Sequence, residues 1–455
     1  MQKDANVSNK KIVILGAGES GVGAAILAKE VGYKAIFVSD SGKISDKYRK
    51  KLDAHQIEFE SGGHTESKIL DADEMMKSPG IPEENFLVVK IRANNIPVIS
   101  EIEFAYRYKG DSKIVGITGS NGKTTTTSLI YRMFELAGLD VALVGNIGFS
   151  IAEQVALTPK EYYVAEISSF QLDDIVTFRP DVALLLNITP DHLDRYDHKF
   201  ENYVEAKFKI AENQIATDYF VYNEDDPVIT ERLKTFPLKS IPLPFSMNKE
   251  IKKGAFIKDD QMTLNSTSEN VSMSIYEFAL KGKHNQYNTM AAGIASQVMG
   301  IRKEKIRDAI KTFNSLEHRM EPVATVRGVE FINDSKATNL NSVWFALESM
   351  QQPTILILGG IDKGNDYSLL LDDVKAKVKA IVCLGLDNSK IHAAFDGQVP
   401  NEIIDTDNMI DCVNKAFALA ESGDAVLLSP ACSSFDLFKS YEDRGTQFKD
   451  AVKLL

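Results

Sequence analysis

Gly116-Ile-Thr-Gly-Ser-Asn-Gly-Lys-Thr-Thr-Thr126 lies between an apolar run, Ile114–Ile117, and a segment of helical periodicity. The run reads as a short buried strand. After the turn, Leu129, Ile130, Met133, Phe134 and Ala137 recur at helical spacing up to Gly138, a C-cap residue by type. Between them the backbone must reverse with its N–H groups facing inward, which glycine permits. Those amides and the helix N-terminus make an anion site, Lys123 adds a mobile positive charge, and Thr124 offers a hydroxyl to Mg2+. The stretch therefore predicts a cradle for a nucleoside triphosphate. Its glycines fall at Gly116, Gly119 and Gly122, with Ile117 where a phosphate loop usually has its first glycine, so the loop is a variant.

The 455 residues suggest about three domains. An apolar content of 44% supplies proper cores. The 28 glycines and 14 prolines are unexceptional and argue against a disordered or fibrous chain. A net charge of −12 and a pI near 5.3 argue against non-specific nucleic-acid binding. Cys383, Cys412 and Cys432 are far apart, odd in number and without metal-ligand spacing, as expected of reduced thiols in a cytoplasmic protein. The first residues are polar, with no apolar signal core. No apolar run approaches the ~18 residues that span a membrane. There is no coiled-coil seam, and a soluble monomer is expected.

Strand–helix alternation recurs in three sections, so the fold class is α/β with three domains, 1–110, 111–318 and 319–455. The first opens with strand Lys11–Leu15, a glycine-rich turn, a helix to about Val31 and strand Ala35–Ser39. The second contains the phosphate loop and strands near Val141–Val144, Tyr163–Ile167 and Val182–Asn187. From Phe236 to Leu280 short alternating runs read as hairpins appended to a parallel core. The third has strands Gly328–Ile332, Thr354–Leu358, Ala380–Leu384 and Ala425–Leu428, another doubly wound sheet. In such sheets ligands bind beyond the C-terminal strand ends.

Polar residues gather at those ends. Gly16, Gly18 and Gly21 fit G-x-G-x-x-G, and Asp40 ends the next strand, where a ribose-binding acid would stand. A pyrophosphate suits this turn, but NAD, FAD and UDP-sugars all carry one, so the motif leaves the ligand open. Gly145-Asn146-Ile-Gly148, Glu166-Ile-Ser-Ser-Phe-Gln171 and Asn187-Ile-Thr-Pro-Asp-His192 follow strands of the second section. A carboxylate and an imidazole near a triphosphate suggest a Mg2+ or second-metal site; a loop histidine capping a turn is the alternative for His192. In the helix around Phe200, Tyr203, Val204, Phe208 and Ala211, Lys207 projects into the middle of the apolar face while Lys209 points away. Lysine there is a snorkelling side chain, a buried charge partner or a modified anion. Asn333-Asp-Ser-Lys-Ala-Thr-Asn339, Gly359-Gly-Ile-Asp-Lys-Gly364 and Ser429-Pro-Ala-Cys-Ser-Ser434 are donor-rich turns, and Lys336 and Lys363 would complement an anionic small molecule.

Taken together, these segments resemble the Mur ligase family, the ATP-dependent amide ligases of peptidoglycan precursor synthesis. Gly119-Ser-Asn-Gly-Lys-Thr-Thr125, His284-Asn-Gln-Tyr-Asn288, His318-Arg319, and His192 with Lys207 after it are similar to family-wide landmarks. Glu166–Leu172, Asn333–Asn339 and Leu428–Ser434 are similar to the members that add D-glutamate. The resemblance implies a Rossmann-like UDP-binding domain, a central P-loop-type ATPase domain with appended antiparallel strands, and a Rossmann-like C-terminal domain. It implies UDP near Glu19, Ser20, Asp40, Ser78 and Gly80, with Asn146 and Gln171 on the muramoyl part. It places ATP on Gly119, Ser120, Asn121, Gly122, Lys123, Thr124, Thr125, Asn285, Asn288, Arg319 and Asp334. It gives two Mg2+ ions to Thr124, Glu166, His192 and Lys207, the last carbamylated by CO2 into an anionic oxygen ligand, and it makes Lys123, Glu166, His192 and Lys207 catalytic. Lys336, Thr338, Lys363, Ser434 and Tyr441 would surround D-glutamate, Tyr441 standing where a phenylalanine is expected. The implied substrates are UDP-N-acetylmuramoyl-L-alanine, D-glutamate and ATP, in cell-wall biogenesis and hence cell shape and division. A nicotinamide oxidoreductase built on Gly16–Gly23 would leave the Lys123 loop, His284–Asn288 and Lys207 without a role.

Overall fold

The expected strand before the phosphate loop is Lys113–Thr118, and it lies inside a nine-stranded sheet, buried on both faces after Lys113. A computed structural model describes residues 3–313, 317–362, 364–401 and 403–455. Lys113–Thr118 is flanked by Tyr162–Glu166 and Val182–Leu185, both parallel to it, and Val141–Gly145 lies beyond the former. Near-continuous burial of short apolar runs is what a parallel strand covered on both faces requires. The loops after Thr118, Glu166 and Leu185 therefore leave one edge side by side.

Two details differ from the sequence-based expectation. Ile241–Ser246 belongs to the parallel core, paired with Tyr219–Asn223, and only Ala255–Lys258, Gln261–Leu264 and Val271–Ser274 form antiparallel hairpins. Pro242 and Pro244 argue against such a strand on sequence grounds. The Ile241 amide donates to Asp218 at 2.9 Å, so both proline nitrogens turn to the opposite side, where pairing begins only at Phe245. In the third section, Glu321–Val326 adds an unexpected antiparallel strand beside Val329–Asn333. Its two-residue turn, Arg327-Gly328, has φ of +49° and +83°, the pair of left-handed residues that matches hairpin twist.

The first sheet has five parallel strands in the spatial order Glu58–Ser61, Ala35–Asp40, Lys11–Leu15, Glu74–Lys77, Val98–Ile99. Strand order reverses around Lys11–Leu15, so the turn at Gly16 opens at a topological switch point. The third sheet runs Glu321–Val326, Val329–Asn333, Ala425–Ala431, Thr354–Gly359, Val378–Leu384, Ile404–Thr406, parallel after its first pair. Contacts divide the chain into two units, 1–277 with 287–311 and 278–286 with 312–455. The first two sheets share a unit: helix Glu19–Val31 packs on helix Ile151–Leu157, close enough that a Cβ on Gly23 would meet Ser150 Oγ at 1.9 Å. Among the described residues, no helix is long and apolar enough to cross a membrane.

Candidate active site

The glycine-rich loop at Gly116–Thr126 holds two glycines in backbone conformations that a side chain would strain. Gly119 has φ +154°, and a Cβ there would lie 3.0 Å from Leu186 Cβ. Gly122, the N-cap of helix Lys123–Leu136, has φ +81°, and a Cβ would come within 2.3 Å of Asn288 Oδ1. A glycine cap has no side chain to cover the helix amides, and Asn288 of helix Lys283–Val298 packs directly on it. The loop is tied to the segment after Val182–Leu185. Asn187 accepts from the Asn121 amide at 2.8 Å and donates to its carbonyl at 3.0 Å. Ser120 Oγ donates to Thr189 O and accepts from its amide, both at 2.9 Å. His192, three residues on, has φ +53° and stands edge-on to Phe170 at 5.2 Å. Thr124 and Thr125 are buried at the helix start.

Lys207 lies on helix Phe200–Phe208 and is 1% exposed, on the face its periodicity predicts. Its Nζ sits 4.6 Å from the Tyr203 ring centroid and donates to the Gly119 carbonyl at 2.8 Å. Lys123 Nζ donates to the same carbonyl at 2.7 Å and to Ser120 O at 2.8 Å. Burial, and then the positive charge of Lys123, hold the Lys207 amine well below the usual lysine range. Glu166 ends strand Tyr162–Glu166 and is buried; Oε1 accepts from Asn146 Nδ2 at 2.9 Å, while Oε2 has no hydrogen-bond partner among the described residues.

At the first sheet, Gly16 has φ +88°, and a Cβ on Gly21 would strike Gly16 O at 1.9 Å, whereas Gly18 (φ −78°) has nothing within 4 Å of its Cβ position. Asp40 closes this turn, accepting from the Ala17 amide at 2.7 Å and the Gly42 amide at 2.8 Å. Glu19 and Ser20 open the helix, and Ser78 Oγ donates to Gly16 O at 3.4 Å. Gly80 is exposed on the following loop. That loop is anchored from the second sheet: Arg195 Nη2 donates to Pro79 O at 3.4 Å and Ile81 O at 3.2 Å, with its guanidinium 4.4 Å over Phe170. Gln171 is buried in a capping box, its Oε1 accepting from the Ser168 amide at 3.0 Å.

The second unit has its own centre. Asp334 is buried and accepts from Ser429 Oγ at 2.8 Å and the Met320 amide at 3.2 Å. Burial pushes its carboxyl up to about 7, against the pull of Ser429 and Arg319. Lys336 Nζ lies 5.1 Å over the Tyr441 ring, which is edge-on to His318. Thr338 donates its amide to Lys336 O at 3.0 Å, and Ser434 is buried with its carbonyl accepting from Phe438 at 2.9 Å. Asn285 Nδ2 donates to Lys281 O at 2.8 Å. Lys363 lies outside the described residues.

Three family models match in chain order: MurD N-terminal domain over 11–85, Mur ligase middle domain over 117–296, and Mur ligase, glutamate ligase domain over 318–432. A UDP-N-acetylmuramoylalanine--D-glutamate ligase of Bacteroides thetaiotaomicron is 54% identical over 98% of this chain and 100% of its own. The chain belongs to the Mur ligase family. A relative of the same name from Christiangramia forsetii is 52% identical over 98% of this chain and all of its own. Among solved structures, a pseudomurein peptide ligase type C from Methanothermus fervidus shares the fold, with TM-score 0.62 at 20% identity over 98% of this chain and 100% of that one.

Sequence reasoning about this Mur ligase missed Arg444. It is 1% exposed within helix Tyr441–Val452, donating from Nε to Ser335 Oγ at 3.0 Å and from Nη2 to Ser335 O at 2.8 Å and Cys432 O at 3.2 Å. One guanidinium thus joins the turn after Val329–Asn333 to the turn after Ala425–Ala431. The signal was present in Gly445 beside it, a mid-helix glycine whose Cβ would meet His318 Nδ1 at 2.2 Å. Arg195, three residues after His192, is a second side chain whose anchoring role only the structure reveals.

Proposed function

We propose that this Mur ligase joins D-glutamate to UDP-N-acetylmuramoyl-L-alanine, with ATP cleaved to ADP and phosphate. The observation that carries the reading is 54% identity, over nearly the whole chain, to relatives named for that reaction. The L-alanyl carboxylate attacks the γ-phosphorus, the β–γ bridging bond breaks and ADP leaves an acyl phosphate. The D-glutamate amine then attacks the acyl carbon, phosphate departs from the tetrahedral adduct, and the amine loses a proton. Lys123 and the loop amides from Gly119 to Thr125 meet the triphosphate, with Asn285, Asn288, Arg319 and Asp334 on the rest of ATP. Glu19, Ser20, Asp40, Ser78 and Gly80 hold UDP, and Asn146 and Gln171 the muramoyl part.

Thr124, Glu166, His192 and Lys207 are the residues for two Mg2+ ions. The unpartnered buried Glu166 Oε2 suits a hard cation, and the low-pKa Lys207 amine suits reaction with CO2, which yields a carbamate and a released proton. Bound there, Mg2+ would neutralise phosphate charge during transfer. Lys336, Thr338, Lys363, Ser434 and Tyr441 receive D-glutamate. The domains take the limits 1–110, 111–318 and 319–455, and the enzyme works as a cytoplasmic monomer in cell-wall precursor synthesis, supporting cell shape and division. The test is ADP release across candidate amino acids: it should require both UDP-N-acetylmuramoyl-L-alanine and D-glutamate. Equal turnover with L-glutamate or a diamino acid would refute the assignment.

A further inference from the structure

The outer part of the third sheet carries a side-chain cluster that ligation does not use. Val378–Leu384 pairs in parallel with the edge strand Ile404–Thr406, and the register sets Cys383 beside Asp405. Register neighbours on adjacent strands project from the same face of a sheet. His392, on helix Ser389–Phe395, brings Nε2 to 3.1 Å from Asp405 Oδ2. One ligand atom from each of Cys383, His392 and Asp405 lies within 4.8 Å of the other two.

The surroundings match those of a metal centre. His392 Nδ1 is 3.1 Å from Asp396 Oδ1, one turn along its helix, and Nε2 faces Asp405 Oδ1 at 3.2 Å and Oδ2 at 3.1 Å; with Nδ1 donating to Asp396, a cation would take the place of the Nε2 proton. Asn388 Nδ2 donates to Asp405 Oδ1 at 2.9 Å, orienting the carboxylate. Without a metal, Asp396 and Asp405 pair with His392 and the Cys383 thiol hydrogen-bonds Asp405, so a thiol, an imidazole and a carboxylate converge on one point. We propose that Cys383, His392 and Asp405 form a binding site for a thiophilic divalent cation of the zinc class. Zn2+ takes sulfur, imidazole and carboxylate ligands at about 2.0–2.3 Å, which places ligand atoms about 3.3–3.8 Å apart in a tetrahedron. The ligand atoms, within 4.8 Å of one another, would have to draw together by up to about 1–1.5 Å to take that geometry. The thiol releases its proton to solvent as the sulfur–metal bond forms, and two anionic ligands balance the dication. Water completes the fourth position on the exposed side of Asp405. Mg2+, which avoids thiolate, does not compete here. The bound cation would pin the edge strand to its covering helix.

The test uses the full chain, freed of metal by a chelator and titrated with Co2+ as a spectroscopic probe. We expect a near-ultraviolet thiolate-to-Co2+ charge-transfer band that saturates at one equivalent and is bleached by Zn2+. Cys383→Ser should abolish the band and Cys412→Ser should leave it. His392→Gln and Asp405→Asn, on the accessible side, should weaken Zn2+ binding in chelator competition at least about tenfold, and Asp396→Ala about 10–100-fold. No band in the parent protein, or one that survives Cys383→Ser, would overturn the proposal. Where Cys383→Ser fails to fold, unchanged Zn2+ affinity in His392→Gln overturns it.

Discussion

Lys123 and Lys207 donate to one acceptor, the carbonyl oxygen of Gly119, at 2.7 and 2.8 Å. Two ammonium groups sharing an atom repel, and Lys207 is the one without water. Burial and the Lys123 charge both favour loss of its proton, and a carbamate would turn the repulsion into attraction. Lys207→Ala should lower ADP release by on the order of a hundredfold or more, the scale for losing one charge-stabilising group. Formate or acetate should restore part of it, and removing dissolved CO2 should slow the parent enzyme reversibly. Near-parental activity in untreated Lys207→Ala would exclude the carbamate.

Glycines 18 and 122 separate ligand access from backbone strain. Gly122→Ala meets both a φ of +81° and Asn288 Oδ1 at 2.3 Å, so nucleotide binding and thermal stability should fall together. Gly18 has ordinary φ and open space, so Gly18→Ala should melt like the parent yet raise KM for the UDP substrate. An unchanged KM would show that no pyrophosphate approaches that turn.

Removing the Arg444 guanidinium orphans the buried carbonyls of Ser335 and Cys432. Each buried acceptor left without a donor costs about 1–3 kcal/mol. Arg444→Met should therefore lower the melting temperature and raise KM for D-glutamate, while KM for ATP moves less. Arg444→Lys, with one donor group in place of a planar fork, should recover only part of the loss. Equal increases in both KM values would point to general destabilisation.

Asp334 links stability to pH. Burial raises its folded pKa to about 7, whereas an unfolded aspartate loses its proton near pH 4, so between these values the folded state binds the extra proton and stability falls as pH rises. Asp334→Asn keeps an acceptor for Ser429 and Met320 but removes the titration. Melting temperatures measured from pH 5 to 7.5 should fall more steeply in the parent than in the variant. Parallel curves would refute the shift.

Much of this was legible from residues alone. The glycine turns at Gly16 and Gly119, the strands feeding them and the buried face of Lys207 follow from local periodicity and backbone sterics, which act over a few residues. The parallel placement of Ile241–Ser246 was not legible, because two prolines argue against a strand until its neighbours show which edge each nitrogen faces.

The sequence by itself determined the three α/β sections, a glycine-rich turn between a buried strand and a helix, and an out-of-place lysine on an apolar face. Only the tertiary structure decided that Asn187 clasps Asn121, that Arg195 holds the loop at Ile81, and that Arg444 joins turns at Ser335 and Cys432. The Asn187 and Arg444 contacts depend on strand order, with Lys113–Thr118 between Tyr162–Glu166 and Val182–Leu185, and Ala425–Ala431 beside Val329–Asn333, and no local pattern encodes which strand ends become neighbours.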